Sequence, residues 1–516
     1  MGMISTRMTQ NTNSLDANGS SGDTEGTLGR AFSSAVSWNV AEMLVAQLVT
    51  VGLYFFLATQ IPLEVFGVFF VAAILADFVY FQGRSSSVDA IMQTKDFSQD
   101  NLSSAFWAMF GSVIALAVGI CLMSPLFAWV QGNRAFLLFM PALALTLLPL
   151  PLGVPAQAKL NHKLDFKGIA ARGITASLAG GIAAVLVVLF TSIPEWALVV
   201  QRAVSTVCSV LFLVWRAKWL PSFRIKPRLA HRFLSDVSRI FFAQGLHASI
   251  PRILVFMIGV AFGQAAAGAF EWARRLAEMI YGAVAAPMGS LWVIMFSRSE
   301  MDKAERQELF ERLTTMCALI CLPLFAGLAL ISYDLIALVL PGSYSGIAPL
   351  LLILSCIGLL APLFYFRNAA FTALQKLDFL VGLAIVDVLV VTVTSVLTIF
   401  VFKLKIEYVV LALIVQQVVT IALFLPTLLT AMGTSLGSMI MAIAPGYVGT
   451  LAMALSVLIV TGVVVDAPLL AQLIAKIVTG GVVYALFLVC FHRHWVLSAA
   501  EMLLPQLNKQ AIGQAV

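Results

Sequence analysis

An all-α polytopic membrane fold of about fourteen transmembrane helices is predicted by three observations; its arrangement as two pseudo-symmetric six-helix lobes plus two C-terminal helices rests on the repeat and the resemblance described below. First, 61% of the 516 residues are hydrophobic and only 11% are charged, with a mean hydropathy of +0.98, which excludes an ordinary soluble globule. Second, apolar runs long enough to cross a hydrocarbon core of ~30 Å as helices recur throughout the chain. Third, alternate connections between these runs are rich and poor in Lys and Arg, the positive-inside pattern.

The expected helices fall near 33–58, 64–83, 104–129, 135–157, 169–190, 196–216, 239–262, 269–296, 313–333, 345–368, 379–400, 407–430, 440–464 and 469–491. Residues 1–30 are polar and lack the apolar core of a signal peptide, so they read as a disordered cytoplasmic tail. The N-lobe is then 31–216, a basic cytoplasmic linker 217–238, the C-lobe 239–432, helices 13 and 14 lie in 433–491, and 492–516 is a second cytoplasmic tail. With the N-terminus inside, the inner connections hold Arg84 and Lys95, then Lys159, Lys163, Lys167 and Arg172, then the linker bases from Arg216 to Arg239, then Arg298, Lys303, Arg306 and Arg312. The outer ones hold only Arg134, Lys403 and Lys405.

Outer connections such as 191–195 and 263–267 are short, leaving no extracytoplasmic domain to house an enzyme. The linker carries Pro221 and Pro227; topology explains its basic residues, and attraction of anionic lipid heads is the other reading. Cys121, Cys208, Cys317, Cys321, Cys356 and Cys490 all fall in apolar segments and read as buried hydrophobes rather than disulfides or metal ligands. His492 and His494 have no further ligands beside them, and no phosphate loop, His-Glu-x-x-His or nucleophile elbow is present. No catalytic residue, metal, cofactor or nucleic-acid partner is expected.

A repeat crosses the linker. Gly67-Val68-Phe69 opens the second helix and Gly268-Ala269-Phe270 the eighth, and Asp77 and Glu278 follow at the same distance. Six helices per half makes these parallel repeats with a site between them, the layout of an alternating-access transporter. In the eighth helix, Glu271, Arg274, Arg275 and Glu278 are spaced i, i+3, i+4, i+7 and form one stripe. A charge at the bilayer centre costs at least ~2.5–3.5 kcal/mol on insertion scales, so such residues face a protein interior or a water-filled cavity.

The chain resembles the MOP superfamily of multidrug, oligosaccharidyl-lipid and polysaccharide exporters, within it the bacterial polysaccharide flippases. The resemblance is carried by Leu102-Ser103-Ser104-Ala105-Phe106-Trp107, Leu164-Asp165-Phe166-Lys167, Gly263 through Leu276, and Pro341-Gly342-Ser343-Tyr344-Ser345-Gly346-Ile347-Ala348-Pro349-Leu350-Leu351. It implies a non-enzymatic flippase that moves an undecaprenyl-pyrophosphate-linked glycan unit across the bacterial cytoplasmic membrane for exopolysaccharide, capsule or O-antigen synthesis. Its partners would be the lipid-linked oligosaccharide, membrane lipids and the polysaccharide polymerase and export machinery. Many relatives carry an acid in the seventh helix near the position of Leu254, where this chain has Arg252 and no acid close by. No coupling role is carried over there.

Against that expectation each membrane-depth charge has two readings. Arg252 follows Pro251 and either satisfies a carbonyl freed by the proline or binds phosphate through its planar donor fork. Arg274 and Arg275 either neutralise Glu278 and Glu271 as i, i+4 pairs or face a cavity. Arg202 and Arg367 either snorkel or join them, which would give a cationic cavity suited to pyrophosphate. Glu42, Asp77, Glu278 and Asp387 are arginine partners or candidates for coupling to H+ or Na+. Lys476 lies outside the expected core. The rival functions are a multidrug or cation antiporter, which needs acids and aromatics to dominate the cavity, and a membrane glycan polymerase or ligase, which needs a large outer loop.

Overall fold

A computed structural model describes residues 38, 42–94, 96–282, 302–364, 367, 370–371 and 376–491. The two predicted tails, with His492 and His494, and the predicted eighth helix beyond residue 282 lie outside the described residues. Among the described residues every regular element is helical. Ten helices are long and apolar enough to cross a membrane, and three shorter apolar helices accompany them, so the chain is an all-α multi-pass membrane protein.

Helix α1 is Glu42–Ala58. Helix α2 (Leu63–Phe78) runs through a π-helical turn (Val79–Gly83) into α3 (Arg84–Thr94). Then come α4 (Gln99–Val130), α5 (Phe136–Leu145), α6 (Leu150–His162), α7 (Phe166–Phe190) and α8 (Ala197–Ala217). A non-helical strap at 218–226 leads to α9 (Pro227–Ala248), α10 (Ile250–Phe262) and α11 (Gln264–Ile280). The rest is α12 (Lys303–Val339), α13 (Ile347–Gly358), α14 (Leu377–Val396), α15 (Ile406–Met432), α16 (Leu436–Val463) and α17 (Leu469–Phe491).

Several boundaries differ from the sequence reading, and four of the differences have a physical reason. The second helix continues past Gly83 because its polar end is enclosed: Ser86 and Ser87 are buried and Arg84 Nε donates to Gln157 Oε1 at 2.8 Å. The third begins at Gln99, where the Ser98 hydroxyl accepts from the Asn101 N–H as an N-cap. The linker at 217–238 is helical from Pro227 on, since proline suits a first helical turn, and the seventh helix is broken at Ser249, where Pro251 lacks the N–H that would continue the ladder.

The chain divides into two compact units. The first is Met1–Arg275, Leu340–Ile347 and Gln375–Thr420; the second is Leu276–Val339, Ala348–Leu374 and Ile421–Val516. Within the first, late segments are held on early helices. A Cβ on Gly67 would stand 1.7 Å from the Gln264 carbonyl oxygen, and one on Gly268 would stand 2.6 Å from that of Leu63. The echoing glycines of the sequence therefore lie against each other and let α2 and α11 meet backbone to backbone. Gln264 Nε2 donates to Gln131 Oε1 at 2.8 Å, and the Tyr344 hydroxyl donates to the Ile61 carbonyl. Within the second unit, the Tyr484 hydroxyl of α17 donates to the Leu319 carbonyl and that of Tyr447 in α16 to the Leu359 carbonyl, each at 2.6 Å.

Candidate functional site

Among the described residues, the end of α2 and its π turn organise the largest charge cluster. A π turn adds a residue to the helical repeat and so re-aims the side chains beyond it. Asp77 closes α2 and accepts from Arg202 Nη1 of α8, and the same guanidinium lies 5.4 Å from the ring centre of Tyr80 in the π turn. Arg202 Nε and Nη2 are buried and have no hydrogen-bond partner. Arg202 and Asp77 have side-chain exposures of 13% and 23%, so the pair is shielded without being sealed.

Helix α11 supplies the second half. Glu271, with 7% of its side chain exposed, accepts from Arg274 Nε at 2.8 Å and Nη2 at 2.6 Å and from Arg275 Nε at 3.0 Å. One carboxylate thus serves both arginines, through i, i+3 and i, i+4 spacing. Arg275 Nη1 also donates to the Tyr54 hydroxyl at 3.1 Å, and its guanidinium lies over the rings of Phe70 (4.7 Å) and Tyr54 (5.3 Å). Trp272 packs behind, 5.6 Å from Tyr54, 5.5 Å from Phe66 and 6.2 Å from Tyr344 between ring centres. Within this group three guanidinium groups meet two carboxylates, and two of them, Arg202 and Arg275, also lie over aromatic rings.

Arg252 stands beside this cluster on α10. Its guanidinium lies 5.5 Å from the ring centre of Phe78, the residue after Asp77, and its Nη1 donates to the Ala248 carbonyl, one turn back at the helix break. That carbonyl is the neighbour of the one at residue 247, which is the carbonyl that Pro251 leaves without its helical donor. Arg367 belongs to the second unit, where it is buried and lies 5.8 Å from the ring of Phe424. Glu278 is exposed on the last turns of α11, also in the second unit.

The remaining acids are held separately. Glu42 on α1 accepts from Arg172 Nη2 of α7 at 3.1 Å. The sequence pattern had assigned Arg172 to an inner connection, yet it is only 8% exposed. Asp387 on α14 is fully enclosed and accepts from Gln416 Nε2 and Thr420 Oγ1 of α15. Lys476 on α17 pairs with Asp334 on α12, an acid that reading the sequence missed because it sits near a helix end. Cys317 and Cys321 are reduced, with sulfurs 3.8 Å apart, and among the described residues no group of three or more His, Cys, Asp and Glu could hold a metal.

Comparison with known proteins places this geometry in context. The family described as Polysaccharide biosynthesis protein matches residues 56–349, more than half of the chain and most of the cluster. The teichuronic acid biosynthesis protein TuaB of Bacillus subtilis is 22% identical over 56% of this chain and 60% of its own length. The lipopolysaccharide biosynthesis protein WzxC of Escherichia coli is 25% identical over 53% of this chain and 56% of its own. The succinoglycan biosynthesis transport protein ExoT of Rhizobium meliloti is 24% identical over 57% and 60%. The matched part of the chain thus spans about three fifths of these relatives.

Among solved structures, the lipid II flippase MurJ in an inward closed conformation superposes with a TM-score of 0.68 at 14% identity, covering 90% of this chain and 99% of that one. An inward-facing multidrug resistance MATE family transporter of the MOP superfamily gives 0.54 at 16% identity, covering 77% and 94%. Its fold is theirs, and by its sequence match the chain belongs to the polysaccharide biosynthesis protein family.

Proposed function

We propose that the chain is a flippase, not an enzyme, that moves an undecaprenyl-pyrophosphate-linked oligosaccharide unit across the bacterial cytoplasmic membrane. The cargo would serve exopolysaccharide, capsule or O-antigen synthesis. The observation that carries this reading is the arginine cluster of Arg202, Arg274 and Arg275 at membrane depth, with two buried N–H groups of Arg202 still unengaged. Crossing bare hydrocarbon strips hydration from phosphate and hydroxyls at several kcal/mol per group or more. Fixed guanidinium donors replace that water, and charge-assisted bonds to phosphate are the strong kind. Arg252, beside the cluster on α10, completes the cationic site in this reading.

The N-lobe (31–216) and C-lobe (239–432) rock about that site, and the helices in 433–491 stand outside the core. Both termini are cytoplasmic. Of the four acids, Asp77 and Glu42 are engaged by Arg202 and Arg172, and Glu278 is exposed. Asp387 is enclosed and accepts from Gln416 and Thr420, and in this reading one of the four acids couples transport to H+ or Na+. The products pass to a polysaccharide polymerase and export machinery.

The test is export of surface glycan by Arg202→Ala and Arg275→Ala variants at normal protein levels, with lipid-linked repeat units assayed on each leaflet. Loss of surface glycan with repeat units accumulating on the inner leaflet supports the reading. Full export by the double variant, or accumulation on the outer leaflet as expected of a lost polymerase, overturns it.

A further inference from the structure

The strap between α8 and α9 is built, not slack. Helix α8 ends at Lys218, which adopts a left-handed conformation (φ 47°) and turns the chain back, and Trp219 is then buried as an anchor. The strap next binds the first turns of α4 group by group. Gln99 Nε2 donates to the Leu220 carbonyl at 2.6 Å and Trp107 Nε1 to the Ser222 carbonyl at 2.9 Å. The Ser222 N–H donates to Ser103 Oγ at 3.0 Å, and the Lys226 N–H to Ser104 Oγ at 3.1 Å. Lys226 Nζ pairs with Asp100 at 2.7 Å. The Leu102–Trp107 segment, noted in the sequence for family resemblance alone, is the platform on which the strap is fastened.

This fastening uses the polar backbone inward and leaves apolar side chains outward. Phe223 is 88% exposed, Leu220 65% and Ile225 51%, and Trp215 on the last turn of α8 is 70% exposed. Among them stand Lys218, Arg224 and Arg228, all exposed and none in an ion pair with a described residue; Arg216 and Lys226 are already matched to Asp165 and Asp100. Topology requires basic residues near a membrane face, but it does not require them to be fixed beside protruding aromatic and aliphatic side chains. The strap follows directly on the end of α8, which is long and apolar enough to cross a membrane, so it lies near a membrane face. There an apolar side chain enters the acyl boundary while neighbouring cations meet headgroup phosphates.

We propose that the strap 218–228 is an interfacial anchor that binds anionic phospholipid headgroups through Lys218, Arg224 and Arg228, with Leu220, Phe223 and Ile225 seated below them. This surface is separate from the arginine cluster and does not depend on what the protein transports.

The test uses the full chain, purified in detergent micelles and titrated with phosphatidylglycerol or phosphatidylcholine, with retained lipid counted by native mass spectrometry. The parent should retain phosphatidylglycerol in preference to phosphatidylcholine. Its affinity should fall about fivefold per charge removed in Lys218→Gln, Arg224→Gln and Arg228→Gln, combined in one chain. A Lys403→Gln, Lys405→Gln control, which removes two exposed cations from another connection, should keep the preference. Phe223→Ser should weaken retention of both lipids while preserving the preference. Unchanged phosphatidylglycerol retention by the triple variant, or an equal loss in the control, overturns the proposal. All substituted side chains are exposed, so folding is preserved, as melting in phosphatidylcholine alone will verify.

Discussion

Two buried basic sites, one in each compact unit, are satisfied in different ways. In the second, Lys476 meets Asp334 one to one, with side-chain exposures of 6% and 15%. In the first, Glu271 is shared by Arg274 and Arg275, while Arg202 keeps two buried N–H groups without a partner beside its bond to Asp77. The Lys476–Asp334 pair neutralises its own charge and acts as a fastener between α12 and α17. Arg202, by contrast, keeps donors that the anionic cargo proposed above would engage.

The comparison breaks most visibly at the fastener. Removing one member of a buried pair strands the other, at a cost of about 3–5 kcal/mol, whereas replacing both by apolar residues of similar size is nearly neutral. Lys476→Ala should therefore lower the melting temperature and the level of protein in the membrane by a large margin. The Lys476→Met, Asp334→Leu double variant should recover most of both and export glycan normally. Equal damage in the single and double variants would mean that the pair does more than fasten.

Next in size is the glycine contact that sets α11 against α2. A methyl group at residue 67 would fall 1.7 Å from the Gln264 carbonyl oxygen, so the helices must separate. Overpacking of this kind costs about 1–3 kcal/mol. Because Arg275 of α11 stacks on Phe70 of α2, Gly67→Ala should also reduce export by more than the fall in protein level explains. Quantitative blotting alongside a glycan assay separates the two effects.

The arginine cluster itself should respond to shape rather than to charge. Arg275→Lys keeps the positive charge but gives up the planar stack on Tyr54 and Phe70 and the fork toward Glu271 and Tyr54. Export should fall roughly tenfold, with melting little changed because α11 keeps its Trp272 packing. Wild-type export by Arg275→Lys would reduce the cluster to a simple positive field.

Much of this molecule is legible in its sequence because apolar runs dominate a membrane chain: most helices lie within a few residues of their predicted places. The stripe at Glu271 to Arg275 and the depth of Asp77 were also visible, since a charge inside an apolar run is conspicuous. What could not be seen is pairing across long separations. Arg275 meets Tyr54 across 221 residues, and no local pattern marks Tyr54 as its partner. Arg172 looked like a topology signal because it lies near a helix start, where basic residues are common, yet it is Glu42's partner. The π turn that aims Tyr80 at Arg202 leaves no composition cue in Val79-Tyr80-Phe81-Gln82-Gly83.

A third matched pair, outside the membrane span, should give the smallest effect and show how far burial decides the value of matching. Asp165 caps α7, accepting from the Gly168 N–H at 3.0 Å, and its other oxygen accepts from Arg216 Nε at 2.8 Å. The hydrogen bond from Arg216 holds the Asp165 carboxyl below its ordinary pKa. A carboxyl depressed in the folded state adds stability that is fully present above the unfolded pKa and disappears as pH falls through the folded one. Asp165→Asn keeps a good cap but loses the charge, so its melting deficit should be present at neutral pH and vanish on acidification through the carboxylate range. Asp165→Ala loses the cap as well and should stay about 0.5–2 kcal/mol less stable at every pH. Melting curves of the three proteins across that range separate cap from charge. An Asn deficit independent of pH would show that shape, not matched charge, joins α7 to α8 at this end.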